Sequence, residues 1–301
     1  MMAAQNISAL RGTLLQNEVL ARHTSWRVGG PAQSFYAPAD LADLAEFLQQ
    51  LPADEPLLWI GLGSNLLVRD GGFKGTVLAL SGALSQMQLV DGNLDSKTVR
   101  AEAGVTCAKV ARFCAQHDLI GAEFFAGIPG TLGGALAMNA GAFGGETWRI
   151  VQQVETIDRR GIIRHRPPAD FDVGYRHVRA AQGEWFVAGH LQLPKGDGTA
   201  SRARIKELLD KRNQSQPTQW PSCGSVFRNP PNDFAGRLVE ASGLKGFCIG
   251  GACVSEKHAN FIVNTGNATA AQIEQLIAHV QATVAQKFHV KLTPEVHVVG
   301  E

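Results

Sequence analysis

Apolar residues recur at helical spacing in several separate parts of the chain. The final helix has the clearest pattern, because Thr269 and Gln272 form a capping-box pair ahead of a long apolar face. The apolar residues of that face are Ile273, Leu276, Ile277, Val280, Val284 and Phe288. Four earlier helices are predicted on the same basis: 40–51 after the cap Asp40, about 106–117 with Val110, Phe113 and Cys114 inward, one carrying Ile205, Leu208 and Leu209, and one carrying Leu238 and Val239 that stops near Gly243.

Strand-like segments dominate the part between these helices. Strands are predicted at 57–60, 76–80, 98–103 and 185–194, with a hairpin over 151–167 that turns at Arg159, Arg160 and Gly161, and a last strand that includes Glu295 and His297. The segment PKGDGT at 194–199 has the composition of a linker. Mixed helices and strands of this kind favour an α+β fold with a separate C-terminal domain.

The composition is that of an ordinary globular protein of 301 residues, with 45% hydrophobic and 18% charged residues. Lys plus Arg number 28 against 27 for Asp plus Glu, so no strong field attracts nucleic acid or an anionic membrane. No apolar run approaches the roughly 20 residues of a membrane span, and the N-terminus lacks a hydrophobic signal core. The expected partner is a small molecule.

The cysteines and histidines give no sign of a metal centre. The five cysteines are an odd count without CxxC spacing, which predicts reduced thiols and a cytoplasmic protein. The nine histidines form no HxH or HExxH group, so no metal site is predicted.

The stretch 126–145, AGIPGTLGGALAMNAGAFGG, holds seven glycines and five alanines and no charged residue. It is consistent with two interpretations: a loop that lets a flat or phosphorylated ligand approach the backbone, or a glycine-rich turn with close helix packing. A second glycine loop, GLGSN at 61–65, lies between two predicted strands. It is not a dinucleotide fingerprint, because Leu66 stands where the third glycine is required, and the chain has no Gly-Lys pair for a P-loop.

Six motifs in a fixed order carry a family resemblance. They are GLGSN at 61–65, GIPGTLGGALAMNAGA at 127–142, GYR at 174–176, PSCGSVFRNP at 221–230, SEKHANFIVN at 255–264 and PEV at 294–296. From about residue 22 to 299 the chain resembles the UDP-N-acetylenolpyruvoylglucosamine reductases (MurB), in their shorter subtype. Thr131, Val178 and Ser215 depart from residues that are usual in the family.

The resemblance implies an FAD-binding region of the vanillyl-alcohol-oxidase type, made of two α+β subdomains, and a C-terminal α+β substrate-binding domain. The expected boundaries are 1–80, 81–195 and 196–301. It also implies tightly but non-covalently bound FAD, with NADPH as hydride donor. The residues expected to bind FAD are Gly61, Leu62, Gly63, Ser64, Asn65, Leu66, Gly127, Ile128, Pro129, Gly130, Thr131, Gly133, Gly134, Asn139 and Gly141.

The family's reaction reduces UDP-N-acetylglucosamine enolpyruvate to UDP-N-acetylmuramate, a step of peptidoglycan synthesis. By similarity, Ser225 is the proton donor to C2, Arg176 holds the substrate carboxylate as it gains charge, and Glu295, protonated or sharing a proton, acts opposite. Tyr175 and Asn229 are expected to contact the substrate, and His258 is given no role.

Two other functions remain open on the sequence. One is a flavin-dependent oxidase on the same scaffold that passes electrons to oxygen, against which PSCGSVFRNP and Pro294-Glu295 argue. The other is a non-catalytic protein that binds a sugar nucleotide. Because FAD is yellow, a colourless purified protein favours the second.

Overall fold

The computed structural model describes residues 10–90, 95–179 and 182–301. Its strands are β1 Thr13–Val19, β2 Pro31–Ala37, β3 Leu57–Ile60, β4 Leu66–Val68, β5 Phe73–Ala79, β6 Met87–Val90, β7 Ser96–Glu102, β8 Gly141–Ala142, β9 Gly145–Glu146, β10 Val151–Asp158, β11 Ile163–Arg166, β12 Asp172–Gly174, β13 His177–Arg179, β14 Glu184–Pro194, β15 Cys248–Ile249, β16 Ala252–Val254, β17 Ile262–Asn264 and β18 His297–Val299. Its helices are α1 Leu41–Gln50, α2 Cys107–Gln116, α3 Leu132–Met138, α4 Gly198–Ser215, α5 Ala235–Ala241 and α6 Ala270–Phe288.

Side-chain caps set the start of three of these helices, and those of α1 and α6 are the ones that the sequence predicts. The carboxylate of Asp40 accepts a hydrogen bond of 2.9 Å from the backbone N–H of Asp43 at the start of α1. Thr106 caps α2 in the same way. The capping box of Thr269 and Gln272 is present at α6. The five predicted helices are confirmed as α1, α2, α4, α5 and α6. The predicted hairpin is confirmed as β10 and β11, with Gly161 at φ +72° in its turn.

Contacts divide the described chain into two compact units. Unit 1 comprises the residues up to Leu15, Phe35–Gly61 and Gly75–Asp210. Its largest sheet has the order β11-β10-β14-β7-β6, and every neighbouring pair is antiparallel. The apolar faces of α2 and α3 contribute to a buried core with Val99, Val154 and Leu191 of this sheet. A second core in unit 1 includes Leu44 and Leu48 of α1.

Unit 2 comprises Gln16–Ser34, Leu62–Lys74 and Lys211–Glu301. The buried face of α6 forms its core together with residues of α5, β16 and the segment around Val226 and Phe227. β4 and β18 pair in parallel, with Leu66 opposite His297, so residues from distant parts of the sequence meet in one small sheet. Burying these apolar side chains is the main stabilising contribution of each unit.

The observed units divide the chain differently from the predicted boundaries at 80 and 195. The predicted linker 194–199 already contains the start of α4, and the division falls within that helix, between Asp210 and Lys211. The cause is tertiary: residues 16–34 and 62–74 group by their contacts with 211–301, although they are far from it in sequence. The predicted last strand is also shorter than expected, because it begins at His297 and leaves Glu295 just outside it.

The prediction of five reduced cysteines is wrong. Cys248 and Cys253 are disulfide-bonded, while Cys107, Cys114 and Cys223 are free and buried. The antiparallel pairing of β15 with β16 places Cys248 directly opposite Cys253, with the turn Gly250-Gly251 between the strands. No helix in the described residues is both long enough and apolar enough to cross a membrane.

Candidate active site

The segment Leu62–Leu66 of unit 2 is a tight loop in which glycine is required. Gly63 has φ +57°, and a Cβ there would lie 2.3 Å from the backbone oxygen of His23. Leu62 is exposed at the loop surface. Ser64 makes no hydrogen bond with any residue that the structure describes. The close approach of His23 therefore requires glycine at position 63, and the Ser64 hydroxyl has no partner among the described residues.

Cys223 and Asn65 connect this loop to two predicted catalytic residues. The sulfur of Cys223 lies 3.6 Å from the backbone oxygen of Gly63 and 3.4 Å from that of Leu66. Burial raises the pKa of this thiol to about 12, so it is inert and serves packing. On the other side, Asn65 Nδ2 donates to the backbone oxygen of Glu295 at 3.1 Å.

Ser225 and Glu295 lie on two adjoining segments of unit 2. The backbone N–H of Glu295 donates to the backbone oxygen of Val226 at 2.8 Å. Phe227 and Pro294 form an isolated antiparallel β-bridge. Ser225 directly precedes this pairing and follows Gly224, whose φ is +71°. Glu295 is 8% exposed. Ser225 is half-buried, and its hydroxyl has no hydrogen-bond partner in the described part of the chain.

The small-residue stretch of unit 1 contains both tightly packed and exposed glycines. A Cβ on Gly133 would lie 2.8 Å from the Cβ of Ala103, and the N–H groups of Leu132 and Gly133 already donate to Val105 and Ala103. These positions serve close packing. Gly134 is exposed, and a Cβ there would meet only Thr131 Oγ1, at 3.9 Å. That part of the surface leaves space for a ligand.

The other predicted FAD-binding residues of unit 1 surround this helix. Gly61 packs on Thr131, whose Oγ1 would lie 2.4 Å from an added Cβ. Gly127 packs on Phe143, and Gly141 on Gly145, at similarly short distances. Ile128 and Gly130 are half-buried and Pro129 is exposed. A side chain has no room at these three packed glycines, so the backbone segments there can lie close together.

Arg176 occupies a strained position in the two-residue loop between β12 and β13. Its φ is +51°, a left-handed conformation that a non-glycine residue adopts at a cost of about 1 kcal/mol or more. Its neighbour Tyr175 is 60% exposed. The buried Asn139 holds the hairpin, because its Nδ2 donates to the oxygen of Gly174 at 3.1 Å. Asn139 Oδ1 also accepts from the N–H of Trp148, so this side chain is engaged within the protein.

The comparisons with known proteins decide the family. The model of the UDP-N-acetylenolpyruvoylglucosamine reductase C-terminal domain matches residues 216–299, and the model of an FAD-binding domain matches residues 32–166. The reductase of Methylococcus capsulatus is 60% identical over 99% of this chain and 97% of its own. That of Legionella pneumophila strain Philadelphia 1 is 56% identical over 100% of this chain and 96% of its own. The chain belongs to the MurB family.

A solved structure agrees with this assignment. The MurB crystal structure from Thermus caldophilus superposes with a TM-score of 0.81 at 30% identity, covering 97% of this chain and all of that one. The resemblance predicted from six motifs is confirmed, and with it the predicted fold class. The prediction of an FAD-dependent oxidoreductase with NADPH as hydride donor is likewise confirmed. The length of 301 residues fits the shorter MurB subtype.

Within this MurB chain, Asn229, a predicted substrate contact, and His258, which was given no role, both have structural partners. Asn229 Oδ1 accepts from the N–H of Ala235 at 3.1 Å, at the start of α5. His258 Nδ1 accepts from the N–H of Asn260 at 3.2 Å, and burial lowers the pKa of this imidazole. His258 is thus a packing residue with a satisfied ring nitrogen.

The sequence missed one cluster of titratable groups in unit 1. Potential ligand atoms of Glu155, His165 and His190 lie within 4.8 Å of one another, on three adjacent strands. Arg100 binds both oxygens of Glu155 at 2.7 Å, and His190 Nε2 lies 2.8 Å from Oε1. The guanidinium supplies the positive charge that a cation would otherwise bring, so the cluster is an ion-pair network on the sheet.

Proposed function

We infer that the protein reduces UDP-N-acetylglucosamine enolpyruvate to UDP-N-acetylmuramate, with NADPH as the source of hydride, as a step in peptidoglycan synthesis. Bound FAD supplies the hydride chemistry, between NADPH and C3 of the enolpyruvyl group. Hydride addition at C3 leaves negative charge at C2, delocalised into the adjacent carboxylate. The protein must stabilise that charge and deliver a proton to C2.

The backbone hydrogen bond from Glu295 to Val226, the residue next to Ser225, supports this proposal most strongly. Ser225 offers a half-buried hydroxyl without a hydrogen-bond partner among the described residues, and the segment that carries it bonds to Glu295 through Val226. A hydroxyl can donate the proton, because carbon that bears developing charge is a strong base and geometry matters more than a pKa near neutrality. Glu295 holds a proton or shares one, because an ionised carboxylate would oppose the developing charge.

Arg176 is assigned to the substrate carboxylate. Its guanidinium is always protonated and binds two oxygens at once, which suits a carboxylate that gains charge during the reaction. The left-handed backbone at Arg176 and the hydrogen bond from Asn139 to Gly174 fix the loop that presents it. Tyr175, exposed beside it, and Asn229 are proposed as substrate contacts.

FAD is assigned to the residues of the two glycine-rich loops. Ser64 supplies a hydroxyl without a protein partner in the described chain, and the exposed Gly134 leaves room beside α3. The remaining members of the predicted set, Gly61 to Leu66 and Gly127 to Gly141, shape these surfaces.

Since NADPH and UDP-sugars are cytoplasmic metabolites, we place the reaction in the cytoplasm, without nucleic-acid or membrane partners. The three free buried thiols fit that compartment, and the Cys248–Cys253 disulfide is the exception.

The test is stopped-flow spectroscopy of the FAD-loaded Ser225→Ala variant. Flavin reduction by NADPH should stay near the wild-type rate, while reoxidation by the enolpyruvyl nucleotide slows by several orders of magnitude. Ser222→Ala is the matched control, because Ser222 lies three residues away on the same segment. Equal slowing of both half-reactions by Ser225→Ala would contradict the role of this hydroxyl.

Glu295→Gln should slow the same half-reaction while FAD stays bound. A collapse of FAD binding in this variant would instead make Glu295 a structural residue.

The wild-type enzyme distinguishes a reductase from an oxidase: after reduction it should be reoxidised much faster by the enolpyruvyl nucleotide than by air. Purified protein without a yellow chromophore near 1:1 stoichiometry would overturn the assignment of FAD.

A further inference from the structure

Asn260 is a buried residue that contacts the Ser225 segment through three hydrogen bonds. Its backbone oxygen accepts from the N–H of Val226 at 2.8 Å. Its side chain accepts from the N–H of Phe227 through Oδ1 at 3.0 Å and donates to the oxygen of Phe227 through Nδ2 at 2.8 Å. Asn260 is 4% exposed, so water cannot replace these bonds without entering the core.

The side-chain amide of Asn260 takes the place of a neighbouring strand. One N–H and one C=O of the same residue, Phe227, are both satisfied by the two ends of a single planar amide. This pattern reproduces the exchange of two hydrogen bonds in an antiparallel pair. A side-chain amide offers a donor and an acceptor side by side in one plane, which matches the C=O and N–H of a single residue.

The loop around Asn260 is itself fixed. The N–H groups of Lys257 and His258 donate to the hydroxyl of Ser255, and the N–H of Asn260 donates to His258 Nδ1. The N–H of Ser255 donates to the oxygen of Phe261 at 2.8 Å, which closes the loop. The backbone that carries the Asn260 side chain is therefore fixed by hydrogen bonds within 255–261.

The Ser225 segment has Asn260 on one side and the Glu295 segment on the other. Val226 donates to Asn260 and accepts from Glu295, so one residue joins the two. Ser225 continues directly from Val226, and before it Gly224 turns the chain with φ +71°. The position of the Ser225 hydroxyl thus depends on how firmly Val226 and Phe227 are held.

We propose that Asn260 is a positioning residue for the proton donor Ser225. The inference rests on the proposed function, in which Ser225 protonates C2 of the substrate. Asn260 acts by fixing Val226 and Phe227, which sets the distance and direction from the hydroxyl to the reacting carbon. A displacement of about 1 Å is enough to slow such a step roughly a hundredfold.

The experiment compares FAD-loaded Asn260→Ala and Asn260→Asp with wild type and with Asn264→Ala. Asn264 is a matched control: it is also 4% exposed and lies in the same unit, but its side chain bonds to Trp26, Gly266 and Ala268. Asn260→Asp keeps the size and the acceptor and loses the donor to Phe227, so it carries the test if Asn260→Ala does not fold. Each protein is examined by stopped-flow in both half-reactions, in H₂O and in D₂O.

Both Asn260 variants should reduce their flavin with NADPH at the wild-type rate and be reoxidised by the enolpyruvyl nucleotide roughly 10- to 100-fold more slowly. Their solvent isotope effect on reoxidation should rise, because proton delivery becomes slower relative to the other steps. Asn264→Ala should lower thermal stability without changing the ratio of the two rates or the isotope effect. The proposal is overturned if the Asn260 variants slow both half-reactions equally, or if they match Asn264→Ala in rate ratio and isotope effect. Failure of the wild-type enzyme to be reoxidised by this nucleotide would instead refute the proposed function.

Discussion

The side-chain amide of Asn65 donates a hydrogen bond of 3.1 Å to the backbone carbonyl of Glu295. The contact joins the GLGSN loop, which is assigned to FAD, to the residue assigned to act opposite Ser225. A backbone bond reinforces it, since the N–H of His297 donates to the oxygen of Asn65 at 3.0 Å. A single segment of three residues, 295–297, is therefore anchored at both ends by one asparagine.

Asn65→Ala should impair both cofactor retention and substrate-driven reoxidation. The variant removes the donor to Glu295, a neutral hydrogen bond that contributes about 1 kcal/mol, and loosens the loop. Retention is measured as free FAD after gel filtration at low protein concentration, and reoxidation by stopped-flow. Asn267→Ala, at an exposed asparagine of the same unit, is the control. If Asn65→Ala retained FAD and was reoxidised as wild type is, the hydrogen bond from Asn65 to Glu295 would not contribute to function.

Gly133 and Gly134 are adjacent in sequence and should respond in opposite ways to alanine. Gly133→Ala places a Cβ 2.8 Å from the Cβ of Ala103, so overpacking should lower the unfolding free energy by about 1–3 kcal/mol. Gly134→Ala meets nothing closer than 3.9 Å and lies in α3, so the FAD-free protein should gain about 0.5–1 kcal/mol.

The second variant should nevertheless bind FAD more weakly, because its methyl group occupies the space assigned to the cofactor. Thermal unfolding of FAD-free and FAD-loaded protein measures both effects. For Gly134→Ala the melting temperature should rise without FAD, and the increase that FAD brings should shrink. A full FAD-dependent increase in this variant would place the cofactor elsewhere.

The two glycines also show what the sequence could and could not predict. The starts of α1 and α6 were predictable, because Asp40 and Thr269 each act through a residue three positions away. The role of Gly133 was not, because it depends on Ala103, thirty positions away and brought near only by folding. The six motifs identified the family and the candidate site residues, but the small-residue composition alone left packing and ligand binding equally open.

Longer-range relationships account for the features that no local sequence pattern shows. Cys248 and Cys253 have no recognisable spacing, and only the register of β15 with β16 sets them face to face. The division within α4 depends on which segments 16–34 and 62–74 pack against, and no local pattern reports that. Asn260 lies inside a motif that was used for recognition, yet its partners Val226 and Phe227 are more than thirty residues away.

Asn139→Gly tests the support of the Arg176 hairpin. Asn139 ends α3 with φ +42°, which glycine adopts freely, so the substitution removes the side chain without straining the backbone. Loss of its bonds to Gly174 and Trp148 should lower the unfolding free energy by about 1–3 kcal/mol. It should also raise the KM for the enolpyruvyl nucleotide, because the loop that presents Arg176 loosens.

His289 provides the control for this variant. It ends α6 in the same left-handed conformation, with φ +57°, and it is exposed. His289→Gly should leave the KM unchanged and stabilise the protein by up to about 1 kcal/mol, because glycine relieves the steric cost of that conformation. If Asn139→Gly behaved like His289→Gly in both measurements, the hydrogen bond to Gly174 would not matter for substrate binding.

The ion-pair network at Glu155 should make stability depend on pH in acid. Burial alone would raise the pKa of Glu155, but hydrogen bonds from His190 and Arg100 and the charge of Arg100 outweigh it and lower this pKa from 4.5 to about 2. A carboxyl group with a lowered pKa in the folded state contributes stability that is present above pH 4.5 and is lost as the pH falls toward 2. The loss should reach about 3 kcal/mol at most.

Glu155→Gln should remove that part of the pH dependence. Urea unfolding at pH 6 and at pH 3 gives the free energies, and the difference between the two should be smaller in Glu155→Gln than in wild type. The exposed Glu46, on α1 of the same unit, provides the control Glu46→Gln, which should keep the wild-type difference. At pH 6 Glu155→Gln should also be less stable, because the half-buried, positively charged Arg100 then keeps only the more distant carboxylate of Glu102, at 3.6 Å. An unchanged difference between the two pH values would mean that Glu155 keeps its proton affinity on folding, contrary to the bidentate contact with Arg100.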